Sequence, residues 1–316
     1  MMDKYGRLCL FEWVVMGYAV LTLLLMGMWW GRLVCPLPML LGRVGAVAMT
    51  LLLWQLYRRK PSRWTMVLRV AGQLCLLGWW YPDTYELNRI LPNLDHLFAS
   101  WEQALFGCQP ALLFAQQLPS PWISEPLCMG YFSYYLMIMG VPLYFFWRQY
   151  DRLAYCTFIV LASFFLFYVI FITLPVAGPQ FYYEAVGLDE IAAGHFPNLG
   201  HYFLTHQESL PIPGDGGLFH SLVQQAHDAG ERPTAAFPSS HVGIATVLLW
   251  LARETRNKAL ILSILVLTVL MFFATFYIQA HYAIDALAGL VAGTAMYWFF
   301  RGIYYQCMSD EKKVQT

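Results

Sequence analysis

Two histidines, an aspartate, an arginine and a pair of serines carry the chemistry this chain can do. His281 and Asp285 stand four apart in His281-Tyr282-Ala283-Ile284-Asp285. On a helix that spacing puts both on one face, where the carboxylate can hold the proton of one ring nitrogen while the other nitrogen attacks. His241 closes the run Phe237-Pro238-Ser239-Ser240-His241, and Glu231-Arg232-Pro233 precedes it. Pro238, at the start of a predicted helix, has no N–H to lose. The hydroxyls and N–H groups of Ser239 and Ser240 would then sit where helix N-termini bind phosphate. Arg232 offers a fixed positive charge and forked donors that phosphate oxygens accept in pairs. His241 remains to protonate a departing oxygen, a role worth about 10²- to 10⁴-fold in rate. These residue types in this pattern point to phosphate transfer through a nucleophilic histidine.

The elements that must position them lie in a membrane. Of 316 residues 59% are hydrophobic and only 12% charged, against roughly 25% charged in soluble domains. Lys plus Arg equals Asp plus Glu, 19 each, so no basic balance points to nucleic acid. Lipid leaves backbone groups no water to bond, so apolar runs of about 17 to 25 residues predict helices. Eight such runs occur, at 10–30, 41–57, 64–81, 127–147, 154–175, 239–253, 258–279 and 283–300. The stretch after Lys4 and Arg7 is too long for a secretory signal and is expected to stay as a helix. Basic clusters mark alternate connections: Arg58, Arg59, Lys60 and Arg63, then Arg148 and Arg152, then Arg253, Arg256 and Lys258. With both termini cytoplasmic all of them fall inside, as do Arg301, Lys312 and Lys313. Segments 82–126 and 176–238 then fall outside, and His241 and His281 emerge together on that non-cytoplasmic side. The run 239–253, roughly 23 Å long at 1.5 Å per residue, is shorter than the ~30 Å hydrocarbon layer, which would sink its phosphate-binding end toward lipid headgroups.

The expected architecture is all-α: a single membrane domain over 1–308 of about eight helices, with the catalytic motifs within 178–290 and a flexible cytoplasmic tail over 309–316. Leu97, Trp101, Leu105, Leu112 and Leu113 suit interfacial or short re-entrant helices between Leu94 and Leu118. Segment 176–238 is rich in glycine and proline, which argues for a folded loop. It also holds five of the eight histidines, His195, His201, His206, His220 and His227. Their spacing matches no familiar zinc pair, so they read as loop or substrate-contact residues and no metal is expected. The seven cysteines are scattered without a C-x-x-C and read as packing residues. Arg69, inside the third run, would cost ~2.5 to 3.5 kcal/mol in lipid unless paired, so it should face protein. Tyr81 to Glu86 are expected to border the site, and Trp79, Trp80, Trp101 and Trp122 to form an interfacial belt.

Over 178–290 these motifs resemble the type 2 phosphatidic acid phosphatase superfamily, whose three motifs are a Lys followed by Arg-Pro, a Pro-Ser-Gly-His, and a Ser-Arg preceding a His and an Asp. The resemblance implies a six-helix core and no cofactor. It further implies that Arg232 and Ser239, with Ser240, bind phosphate, that His241 is the general acid, and that His281 forms a phosphohistidine with Asp285 as its orienting partner. Three positions depart from the pattern: Gln225 stands for the Lys, Ser240 for the Gly, and Ala274-Thr275 for the Ser-Arg. Two cationic phosphate ligands are thus missing, which suits a singly charged phosphodiester better than a dianionic monoester. The branch most like this sequence is that of the inositol phosphorylceramide synthases. Its Gly-Pro-rich element resembles Gly178-Pro179-Gln180-Phe181-Tyr182-Tyr183, which makes Gln180 and Tyr182, along with Gln225, candidate substrate contacts.

Three functions follow as expectations. The first is an enzyme acting on a phosphorylated lipid, leaning to transfer of an inositol-phosphate headgroup from a phospholipid to a ceramide-type acceptor, with a lipid phosphate or polyprenyl diphosphate phosphatase as its alternative. Such an enzyme would survive chelation. The second is a phospholipid-binding or transport protein without chemistry. The third is a structural membrane subunit.

Overall fold

A computed structural model describes residues 6–214 and 216–315; for Ala229 and residues 311–315 it describes the backbone alone. Lys4, named above as a basic flank, lies outside the described residues. The chain is all-helical in its regular structure: α1 (Leu10–Trp29), α2 (Pro36–Arg59), α3 (Arg63–Asn88), α4 (Asp95–Phe106), α5 (Pro110–Gln117), α6 (Pro121–Arg148), α7 (Leu153–Thr173), α8 (Pro179–Val186), α9 (Leu188–Ala192), α10 (Leu218–Gly230), α11 (Ser240–Glu254), α12 (Lys258–Tyr277) and α13 (Ala283–Gln315). Among the described residues, six of these segments are long and apolar enough to cross a membrane: Leu10–Arg32, Pro36–Arg59, Pro121–Arg148, Tyr150–Thr173, Lys258–Tyr277 and Ala283–Asp310. The other two predicted spans also form helices, α3 and α11, but fall outside that class. α3 carries Arg69, Asp83 and Glu86, and α11 has only 15 residues.

α7 is apolar on every face and forms the centre of the bundle, as an all-round hydrophobic helix must. On one side α1 and α3 pack against it; on the other lie α11, α13 and α6. Charge inside this apolar body is paired. The Arg69 guanidinium meets Glu12 of α1 at 2.8 and 2.5 Å and stacks 4.9 Å over Tyr57 of α2. Arg43 of α2 grips Asp83 of α3 with two bonds of 3.1 and 2.7 Å. Arg69 therefore faces protein, as its cost in lipid requires, and the two ion pairs tie α1, α2 and α3 together. At the opposite end from the histidines, Glu254 collects Arg152, Arg301 at 3.4 Å, Tyr155 at 2.7 Å and Tyr297.

Helices α11 and α13 meet backbone to backbone. A Cβ at Gly289 would lie 2.4 Å from the Ser239 carbonyl oxygen, and one at Gly293 would lie 2.2 Å from that of Gly243. Gly289-Leu290-Val291-Ala292-Gly293 is a small-xxx-small stripe, which lets helix backbones touch. Nothing bulkier than hydrogen fits at this crossing, and it brings the start of α11 against the start of α13.

Two expectations change here. Segment 176–238 is not a plain loop: it folds into α8, α9 and α10, with its glycines and prolines placed between them as breakers and Pro179 at the first turn of α8. α13 also continues through residue 309, where the sequence suggests a tail, as far as Gln315. Helices α4 and α5 occupy the stretch expected to hold interfacial helices.

Candidate active site

α11 begins at Ser240, and α12 returns the chain so that His281 sits in the short link before α13. The two imidazoles meet there: His241 Nδ1 lies 3.2 Å from His281 Nε2. His281 Nδ1 lies 2.7 Å from the Ala236 carbonyl oxygen, which can only accept, so Nδ1 carries the proton and donates it. In a neutral ring Nε2 then holds the lone pair, and His241 Nδ1 must be the donor across the 3.2 Å contact. Burial pushes the His281 ring down from its ordinary 6.5 to about 4, against smaller opposing effects of the Ala236 bond and Glu231. It is therefore neutral at physiological pH, with an unprotonated nitrogen available for attack.

Asp285 does not hold the ring proton. Its Oδ2 is 3.8 Å from His281 Nδ1, within ion-pair range only, and accepts instead from the Tyr282 N–H at 2.8 Å. The expectation of a shared helix face fails because His281 lies outside α13, which starts at Ala283. Asp285 stays close to the ring and caps the first turn, and its main-chain carbonyl accepts from the Ser239 N–H at 3.0 Å. That bond also removes one phosphate donor expected from the sequence. The Ser239 hydroxyl in turn caps α11 by accepting from Val242 N–H at 3.4 Å. Ser240 is buried, within hydrogen-bonding reach of Tyr134. The N–H groups of Ser240 and His241 belong to the open first turn of α11, which has no intrahelical acceptor for them. They are the better anion donors.

Arg232 is exposed at the rim, with its guanidinium donating to Gln207 Oε1 at 3.0 Å. Gln225 is exposed on α10, while Ala274 and Thr275 are buried. The Thr275 carbonyl accepts from the His281 N–H at 3.1 Å, so this position supports the His281 backbone. Around His241 two rings close in: Tyr131 stacks at 4.5 Å and Tyr134 lies at 4.4 Å, both from α6. Tyr131 points its hydroxyl at Glu231 Oε1, 3.5 Å away.

The other two proposed substrate contacts are turned toward protein. Gln180 is buried and accepts from His227 Nε2 at 3.1 Å, while its backbone N–H donates to the Gln279 carbonyl at 2.8 Å. Tyr182 donates its hydroxyl to Pro197 O at 2.9 Å. The Gly178-Pro179-Gln180 element is a brace. Gly178 has φ +95°, and a Cβ there would meet Ala280 O at 2.7 Å and Ala236 Cβ at 3.1 Å, the residue before His281 and the residue whose carbonyl accepts its ring proton.

Two acids that the sequence reading passes over hold this brace. Asp95, fully buried at the start of α4, accepts from the N–H groups of Ala177 at 2.6 Å and Gly178 at 2.8 Å and from the Tyr282 hydroxyl at 3.0 Å. Burial raises its pKa, while these bonds oppose the rise. Glu102 accepts from the Ile284 N–H at 3.2 Å, capping α13, and burial pushes its carboxyl up to about 8. Both sit in a segment whose apolar spacing suggests a surface helix; acids there look solvated until the 176–178 and 282–284 backbones are brought against them.

The outer histidines have separate neighbours: His195 meets Glu190 at 2.8 Å, His206 stacks on Tyr202 at 4.0 Å, and His220 Nε2 lies 3.2 Å from Ile212 O. In comparison with known proteins, a family model described as PAP2 superfamily matches residues 96–299, a stretch running from α4 to within α13. No curated protein and no solved structure matches the chain.

Proposed function

The chain belongs to the PAP2 superfamily, and from that premise we propose that it is a metal-independent enzyme that breaks a phosphate ester of a membrane lipid through a phosphohistidine at His281, with water as the acceptor. The observation that carries this reading is the histidine pair. His281 has its Nδ1 proton fixed on a main-chain carbonyl and its Nε2 facing His241 at 3.2 Å. For a phosphorus atom to stand at the near-attack separation of about 3 to 3.5 Å from Nε2, the 3.2 Å contact between the two rings opens and His241 moves toward the departing oxygen. An approaching phosphate favours the protonated form of His241, which then gives its proton to the departing oxygen. The first-turn N–H groups of α11 and the guanidinium of Arg232 are the donors for the remaining oxygens.

Transfer of the phosphoryl group to a lipid hydroxyl is the second reading, and one observation favours it. Gln225, Ala274 and Thr275 stand where the family pattern supplies a Lys and a Ser-Arg pair, a weak cradle for a dianionic monoester. A ceramide-type acceptor with an inositol-phosphate donor is one form of that reading. Both share the first half of the reaction and part only at the acceptor. Purified protein in mixed micelles with phosphatidic acid, a polyprenyl diphosphate, or phosphatidylinositol with and without ceramide separates them by mass spectrometry of products. Free phosphate supports hydrolysis, a new phosphorylated ceramide supports transfer, and no product under any condition supports a non-catalytic lipid-binding protein. His281→Ala should lose at least about 10³-fold in kcat, the scale seen when a nucleophile is removed.

A further inference from the structure

The Glu231 carboxylate lies one side chain away from the histidine pair, since Tyr131 reaches its Oε1 at 3.5 Å and stacks on His241 at 4.5 Å. For a site that binds phosphate this is an adverse sign: a like charge beside an incoming dianion repels it, the more so where water is excluded. Glu231 is not neutralised by a Lys or Arg in any ion pair among the described residues. Its Oε2 lies 3.4 Å from His227 Nε2, and that nitrogen is also 3.1 Å from Gln180 Oε1. Its neighbour Arg232 turns away to Gln207.

Tyrosine borders this carboxylate. Tyr131 brings its hydroxyl to 3.5 Å from Oε1 and stacks its ring on His241. Tyr135, on the same helix α6, is 47% exposed with its ring 5.8 Å from that of Tyr134, so the tyrosines open outward from the histidines. A carboxylate beside tyrosine is the chemistry that holds an organic cation, most of all a substituted ammonium.

We propose that Glu231, Tyr131 and Tyr135 form a subsite for the ammonium end of a zwitterionic phospholipid headgroup, so that the substrate is an amine-bearing phosphodiester. The substrate then brings a cation that offsets the Glu231 carboxylate. Its phosphorus faces His281, its amine sits against Glu231, and the single negative charge of the diester needs fewer cationic ligands than a monoester would. His281 Nε2 forms the bond to phosphorus, the bond from phosphorus to the diglyceride oxygen breaks, and that oxygen takes the His241 proton. Water, or a lipid hydroxyl, then attacks phosphorus, returns a proton to His241 and displaces His281.

This assignment rests on the phosphohistidine reading above, and two experiments separate them. Full-length protein is assayed in micelles containing equal fractions of phosphatidylcholine, phosphatidylethanolamine, phosphatidylglycerol or phosphatidic acid. The expected result is a kcat/KM about tenfold or more higher for the amine-bearing lipids than for phosphatidylglycerol, a ratio set by one cation–π and carboxylate contact. Glu231→Gln and, at the exposed edge, Tyr135→Leu should each bring that ratio toward one. Equal or better use of phosphatidylglycerol or phosphatidic acid, or an unchanged ratio in both variants, overturns the assignment; a merely structural Glu231 would slow all lipids alike. If no lipid turns over, the phosphohistidine reading fails, and calorimetry with phosphocholine on the His281→Ala protein decides the subsite alone. Binding that Glu231→Gln weakens about tenfold supports it, and no binding rejects it.

Discussion

His281 is a neutral ring, and burial is what keeps it neutral. Because its folded value lies near 4 and the ordinary value is 6.5, the proposed nucleophile should stay unprotonated down to about pH 5 and be lost as pH falls through about 4. Histidine-labelled protein followed by NMR should show one ring titrating near 4; a midpoint near 6.5 for His281 contradicts the buried geometry. The same shift carries a stability sign. Between about pH 6.5 and 4 the unfolded chain binds a proton that the native ring refuses, so stability falls as pH falls across that window. At this scale the sequence is readable for residue types and for the meeting of His241 with His281, since a helical hairpin returns both to one end. It does not reveal that Ala236 takes the ring proton, because a carbonyl acceptor from a loop leaves no mark in residue identity. Spacing misleads at Asp285 for a related reason: a four-residue interval has helical meaning only if the helix includes both ends, and His281 stands outside it.

Among the elements, the crossing of α11 and α13 decides whether the two histidines meet. Gly293 has no room for a Cβ, with the Gly243 carbonyl oxygen 2.2 Å from where it would be. Gly293→Val should push the helices apart, cost about 1 to 3 kcal/mol by overpacking, and lower kcat by about 10²-fold, the penalty for a misplacement near 1 Å. Thermal unfolding and kinetics on the same preparation test this, and a fully active variant would show that the crossing does not set the site. Helix positions are legible because lipid-length apolar runs have few other fates. Helix ends are less so. The polar run Tyr81 to Glu86 reads as the outer end of a span, yet α3 continues to Asn88, because Asp83 pairs with Arg43 and Asn88 bonds to the Phe171 carbonyl at 3.1 Å. Such partners lie 40 and 83 residues away in sequence, and no local pattern announces them.

Over the whole molecule, two layers share α7: α1 to α3 on one side, the helices that carry the histidine pair on the other. The first layer is held by charges that tolerate no loss of a partner. Glu12→Ala would leave the buried Arg69 guanidinium without its carboxylate, a change that costs about 3 to 5 kcal/mol. Denaturation in detergent should show that loss, whereas a neutral outcome would mean that water or another group reaches Arg69. Arg69 is the case where sequence reasoning succeeds at long range, because the cost of a lone charge among apolar residues demands a partner even before one is known. Asp95 and Glu102 are the converse: acids in a short amphipathic segment need no partner when solvated, so their role in bracing the 176–178 and 282–284 backbones becomes visible only with the assembled fold.

The central claim is that His281 carries the phosphoryl group. Purified protein is mixed with isotopically labelled lipid phosphate, quenched in alkali within a turnover, digested and examined by mass spectrometry. The expected result is a phosphate-bearing adduct on the peptide containing His281, stable in alkali, labile in acid and absent from His281→Ala. Steady turnover with no adduct on that peptide, or turnover retained by His281→Ala, would contradict it.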